Sequence, residues 1–153
     1  MNLSGTETFN EEVKNVWNAL HNLDVLSKVI PGCESIELNE EGNAYNVNLK
    51  LGIAAVKGEY IGEVEIEDVG EFEHYILYAK GSGTPGHVSI KMDCKFTQIE
   101  SGSILDWECD AEVGGMIAGV GSRVISGVAK FIAKKFFKDL KEELVEMDKN
   151  VAT

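Results

Sequence analysis

The side chains in this sequence that are able to do chemistry are few and scattered. Its three histidines, His21, His74 and His87, have no cysteine or histidine beside them at metal-ligand spacing. Cys33, Cys94 and Cys109 form no CxxC pair, so neither zinc nor any other metal is expected. His74 is the best acid/base candidate. It sits in residues 72–80, which are apolar at both parities and read as a strand covered on both faces or lining a cavity. A lone histidine without an evident orienting carboxylate makes a poor general base, so no catalytic residue is assigned. Cys94 and Cys109 fall on inward positions of neighbouring strands, where thiols act as small hydrophobes and stay protonated. The run Gly81-Ser82-Gly83-Thr84-Pro85-Gly86 joins two strands and has no following helix, which suits a hairpin loop or a cavity lid better than a phosphate cradle.

What remains is recognition by apolar contact. Period-two alternation points Tyr45, Val47, Val64, Ile66, Met92 and Trp107 to one side of successive strands, and the strand of His74 adds Ile76 and Tyr78. Trp17 from an early helix and Met116 and Val120 from a late one complete the expected interior. Such residues either form a dry core or line a ligand cavity. The tyrosine hydroxyls and the Trp107 N–H would then serve as polar anchors in an apolar pocket.

The glycines favour a cavity. Residues 114–127 hold five glycines inside a pattern with helical spacing (Met116, Val120, Val124, Val128, Phe131), and each costs a helix roughly 1 kcal/mol relative to alanine. A helix thinned in this way lets a ligand or another backbone come close. A homodimer seam is the competing use of the same small residues.

Charge sharpens the picture. The 153 residues carry a formal charge of -12, which argues against nucleic acid as partner. Residues 113–138 hold no acid and contribute Arg123, Lys130, Lys134, Lys135 and Lys138. With Lys141 these lysines form a basic band suited to an anionic membrane or an acidic partner, or simply a solvated helix face. The odd cysteine count and the absence of a basic-then-apolar leader lead to the expectation of a cytoplasmic protein. Only ten uncharged residues precede Arg123, whereas a membrane span needs about 20.

The elements that must position these residues follow from pattern. A strand is expected at residues 2–9, then a helix capped by Asn10 with Val13, Val16, Trp17 and Leu20 on one face. A short helix at 24–29 ends at Pro31-Gly32. About six antiparallel strands fill 33–113, and one helix covers 114–146. One face of each strand is charged and the other apolar, and only the last helix is long enough to cover the apolar side. The expected fold is therefore α+β: a helix-grip, one domain over residues 1–150, with a curved antiparallel sheet around a long C-terminal helix.

This order resembles the CoxG family of carbon monoxide dehydrogenase proteins, within the START/Bet v 1-like superfamily. The matching strings are Glu-Glu-Val-Lys-Asn-Val-Trp at 11–17, Val-Ile-Pro-Gly-Cys-Glu-Ser at 29–35, Lys80 through Gly86, and Val-Gly-Gly at 113–115 through Gly-Ser-Arg at 121–123 to Phe136-Phe137. The resemblance implies a non-enzymatic protein with no intrinsic cofactor that binds a hydrophobic molecule, quinone- or lipid-like. It further implies a molybdenum hydroxylase-type partner enzyme and peripheral contact with the cytoplasmic membrane. A membrane-recruiting adaptor is the alternative role, and a cyclase- or hydrolase-type enzyme a third. Many members carry a further C-terminal extension that associates with membrane; this sequence shows none after its helix, which favours binding over anchoring.

Overall fold

A computed structural model describes the backbone of residues 1–152 and the side chains of residues 1–149. Seven antiparallel strands form one curved sheet: β1 (Asn2–Phe9), β2 (Cys33–Leu38), β3 (Tyr45–Leu51), β4 (Gly58–Gly70), β5 (His74–Gly83), β6 (Gly86–Ile99) and β7 (Gly102–Gly114). Their spatial order is β1-β7-β6-β5-β4-β3-β2, so β1 closes back beside the last strand. Helices α1 (Val13–Leu20) and α2 (Leu23–Val29) cross one end of the sheet, and α3 (Ser122–Ala152) runs along its concave side. The helix-grip expected from the sequence is the fold observed.

Local chemistry explains the boundaries. Asn22 caps α2 by accepting the Val25 N–H at 3.2 Å. Asn10 does not cap α1, which begins three residues later. Its start is satisfied from far along the chain instead: Gln98 Oε1 accepts the Val13 N–H at 2.9 Å, and Ser103 Oγ–H donates to the Glu11 carbonyl at 2.8 Å. Among these residues Ser103 is fully buried, so tertiary contacts, not a local motif, set this end.

The C-terminal helix departs most from expectation. Residues 114–121 are not its first two turns. Met116–Val120 is a 3-10 turn, and α3 starts only at Ser122. Gly115 (φ 81°) and Gly121 (φ 99°) bracket the turn, and side-chain-bearing residues rarely adopt either conformation. These glycines end one element and begin another; they do not thin a continuous helix.

The apolar interior falls into two clusters. The larger joins Phe9, Val16, Trp17, Leu20, Val29, Tyr75, Cys94, Phe96, Leu105, Phe137, Leu140 and Leu144. At its centre Trp17 meets Tyr75 and Phe96 edge-on, each with ring centroids 5.4 Å apart, a favoured aromatic geometry. The smaller, at the opposite end, is built from Val56, Ile117 and Ile125. Trp107 lies flat over β1, where a Cβ added to Gly5 would stand 2.7 Å from its Cζ2. Only glycine at position 5 lets that indole reach Phe137, whose ring stacks on it at 6.0 Å.

Candidate functional site: the gap between sheet and helix

Between the two clusters the inward-facing side chains are less buried. The backbone of α3 comes close to α1, α2, β1 and the two 3-10 turns, Ala54–Val56 and Met116–Val120, and its second half meets the middle strands through side chains, at Tyr75, Cys94 and Phe96. The floor opposite is set by register. One row across the concave face runs Tyr45, Val64, Ala79, Ile90, Ala111, and the next runs Val47, Gly62, Gly81, Val88, Val113. Neither row contains a charged side chain. Except for Val47 and Ala111, which are buried, these residues are only half-buried although they face inward. The helix presents Ala129, Ile132, Ala133 and Phe136, also half-buried, on the face that farther along buries Leu140 and Leu144.

Gly62 and Gly81 are cross-strand partners in the middle of this floor. A Cβ added at Gly81 would meet the Ile61 carbonyl oxygen at 3.7 Å and Val88 Cγ1 at 3.9 Å, ordinary contacts. Neither packing nor backbone conformation therefore demands glycine at 81. It weakens its strand, by roughly 0.5–1 kcal/mol relative to alanine, and leaves volume under the helix.

The expected cavity residues divide into three groups. Trp17 and Val47 are buried, and Tyr45, Val64, Ile66, Met92 and Trp107 are half-buried on the concave side. Ile76 and Tyr78 belong to the other face. Tyr75 and Leu77 pack inward, so alternation turns Ile76 and Tyr78 outward among Glu67, Asp93, Glu65 and Lys91. A strand apolar at both parities offered no way to choose, and the choice inverts every side chain. Met116 and Val120 are exposed, 70% and 39%, outside the interior. They border a surface cavity of about 480 Å³ at the small-cluster end, lined also by Ala55, Lys57, Glu59, Thr84, Pro85 and Ile117. Sequence reasoning missed Leu77, Ala79, Gly81, Val88 and Ile90; for Ile90 the alternation with Lys91 was the signal available.

The histidines lie away from the floor rows, and the buried thiol and phenol belong to the large cluster. His74 lies on the outer face with Nε2 2.6 Å from Asp93 Oδ1. His21 stacks on Trp17 and joins the Trp17 carbonyl oxygen (2.7 Å) to Asp68 Oδ1 (2.9 Å). Burial pushes the Cys94 thiol up to about 12 and the Tyr75 phenol well above its usual value, so both are neutral core groups. The Trp107 Nε1–H is buried and has no hydrogen-bond partner among the described residues, a deficit of about 1–3 kcal/mol.

The basic band is uneven. Lys130, Lys134, Lys135 and Lys138 are exposed, with Lys135 bonded to Asp139 at 2.8 Å. Lys141 is tied to Glu7 at 2.8 Å and lies over the Phe9 ring. It belongs to the packing of α3 on β1. Among the described residues no helix is long and apolar enough to cross a membrane.

A curved antiparallel sheet held around one long helix is the START/Bet v 1-like fold. Solved structures of that fold superpose on nearly all of it. A START superfamily protein from Mycobacterium smegmatis gives a TM-score of 0.75 at 9% identity, covering 95% of this chain and 98% of its own. Ara h 8.0201 gives 0.69 at 17% identity, covering 95% and 98%. A conserved protein from Geobacillus kaustophilus is much nearer, at TM-score 0.91 and 37% identity over 95% of this chain and 96% of that one. No curated protein matches by sequence. The carbon monoxide dehydrogenase CoxG family matches residues 5–145, and the chain belongs to that family.

The floor makes a direct prediction. Gly81→Leu fills the gap without a backbone clash, so its urea midpoint should match or exceed that of the unaltered protein. Its affinity for the neutral fluorescent probe N-phenyl-1-naphthylamine should fall at least about tenfold, roughly 1.4 kcal/mol. Unchanged probe affinity would remove the floor from the binding surface.

Proposed function

We propose that this protein is a non-enzymatic carrier of an uncharged, hydrophobic, quinone- or lipid-like molecule held between sheet and α3. The observation that carries this reading is the split interior: two packed clusters separated by inward-facing, half-buried, uncharged rows. A charged ligand portion has nothing there to pair with and would lose its hydration. The Trp107 N–H has no partner among the described residues and is covered against Gly5 of β1, so a ligand that brings an acceptor, as a quinone carbonyl does, would engage it only by shifting the indole. Family membership supports service to a molybdenum-containing CO dehydrogenase-type enzyme, with the carrier supplying or removing the hydrophobic molecule and adding no cofactor of its own. Titration with a short-chain quinone, followed by tryptophan fluorescence, tests the reading. Trp107→Phe keeps an aromatic ring and removes the donor, and should weaken the quinone about fivefold to tenfold while changing N-phenyl-1-naphthylamine affinity much less. Failure of the unaltered protein to take up any quinone or lipid would contradict the carrier role.

A second reading, a membrane adaptor working at the cytoplasmic face, draws on a separate surface. Val124 and Phe131 of α3 are 44% and 57% exposed, on the helix face shared with Lys134, Lys135 and Lys138. Apolar side chains among lysines, with no acid from 113 to 138, suit an anionic bilayer. The same positive face opposes pairing with a second copy across a two-fold axis, which counts against a homodimer seam here. Co-sedimentation with phosphatidylglycerol vesicles should be salt-sensitive and drop severalfold in a Lys130→Glu, Lys134→Glu, Lys138→Glu variant. Binding indifferent to salt and lipid charge would exclude this role.

A further inference from the structure

We propose that Met116–Val120 is a hinged cover at the mouth of the sheet–helix gap, and that Ile117 is the side chain that latches it. The proposal rests on the ligand-binding reading above and adds how that site opens. Access from the opposite end is blocked by the large aromatic cluster, by α1 and α2, and by the Ser103 and Gln98 bonds that tie α1 to the sheet. The surface cavity lies instead at the small-cluster end, against the 116–120 turn.

The turn is built to move as a unit. Gly115 and Gly121, both at positive φ, stand at its two ends, where backbone rotation meets least steric resistance. Beyond them are β7, ending at Gly114, and α3, starting at Ser122, so a rotation at the two glycines leaves sheet and helix intact. Four of the five residues in the turn are exposed. Ile117 alone is buried, at 7% against 70% for its neighbour Met116. It packs with Val56 and Ile125, and its N–H donates to the Pro85 carbonyl at 2.9 Å. The remaining turn bonds among the described residues, Ala118 N–H to Gly115 O and Gly121 N–H to Ala118 O, are internal. Opening therefore withdraws one side chain and breaks one main-chain bond, and the β6–β7 ladder, which pairs His87 with Gly114, stays closed. Because Ile117 touches both Val56 of the Ala54–Val56 turn and the β5–β6 turn, its release frees three sides of the mouth together.

The test is kinetic. Ile117→Ala should accelerate both uptake and release of N-phenyl-1-naphthylamine about tenfold in stopped-flow fluorescence, with the dissociation constant changed by less than about threefold. A merely structural role would alter affinity or unfold the protein without moving the two rates in parallel. Unchanged rates, or a change confined to affinity, would overturn the latch. Hydrogen exchange of the unaltered protein gives an independent reading that needs no variant. The Ile117 amide should exchange at least about a hundredfold faster than the amides of central β6, through local opening. Equal protection would overturn the hinged cover. If the unaltered protein takes up neither probe nor quinone, the ligand reading itself fails, whatever the exchange of Ile117.

Discussion

The structure depends on how α3 is held: firmly along its second half, lightly at its start, and by half-buried side chains in between. Phe137, Leu140 and Leu144 join the cluster of Trp17, Tyr75 and Phe96, and Lys141 adds its bond to Glu7. At the other end the buried neighbours of Ile125 among the described residues are Val56 and Ile117. A well-packed helical protein would fill the middle with large side chains, because interiors reach the density of organic crystals. Here the middle strands offer Gly62, Gly81, Ala79 and Ala111 to the helix. The large buried side chains are concentrated at the ends, and the centre of the floor is lined by small ones.

The same division separates charge from binding. Acids crowd the convex face of the sheet, lysines occupy the solvent side of α3, and the two central floor rows carry none. Titratable groups that do enter the interior are neutral, as Cys94 and Tyr75 are through burial, or are satisfied at its edges, as Asp68 is by His21. The two floor rows offer shape and apolar contact, with the Tyr45 hydroxyl at one edge.

Much of this was legible in the chain, and the exceptions have definite causes. Strands with one polar and one apolar face, such as β6 and β7, announced their orientation through alternation, and the fold followed because one long helix had to cover the apolar side. β5 did not, since Tyr75, Ile76, Leu77 and Tyr78 are all apolar or amphipathic and only cross-strand partners decide which pair turns inward. The 114–121 stretch misled for a different reason. Its spacing of Met116, Val120 and Val124 is helical, but Gly115 and Gly121 adopt positive φ, a property that spacing does not encode. The start of α1 was misplaced because its cap comes from Gln98, 85 positions away. The small residues of 114–121 belong to a turn, those of the floor are Gly62, Ala79, Gly81 and Ala111, and the register that puts Gly62 beside Gly81 emerges only from the folded sheet.

Whether the gap between sheet and α3 carries a hydrophobic molecule is tested most directly by native mass spectrometry. The protein would be purified under mild conditions from cells that produce it naturally. The expected result is a discrete added mass, uncharged and extractable into organic solvent, that is lost in Gly81→Leu. Protein that is always bare, and that stays bare after incubation with quinones and lipids, would contradict the carrier role.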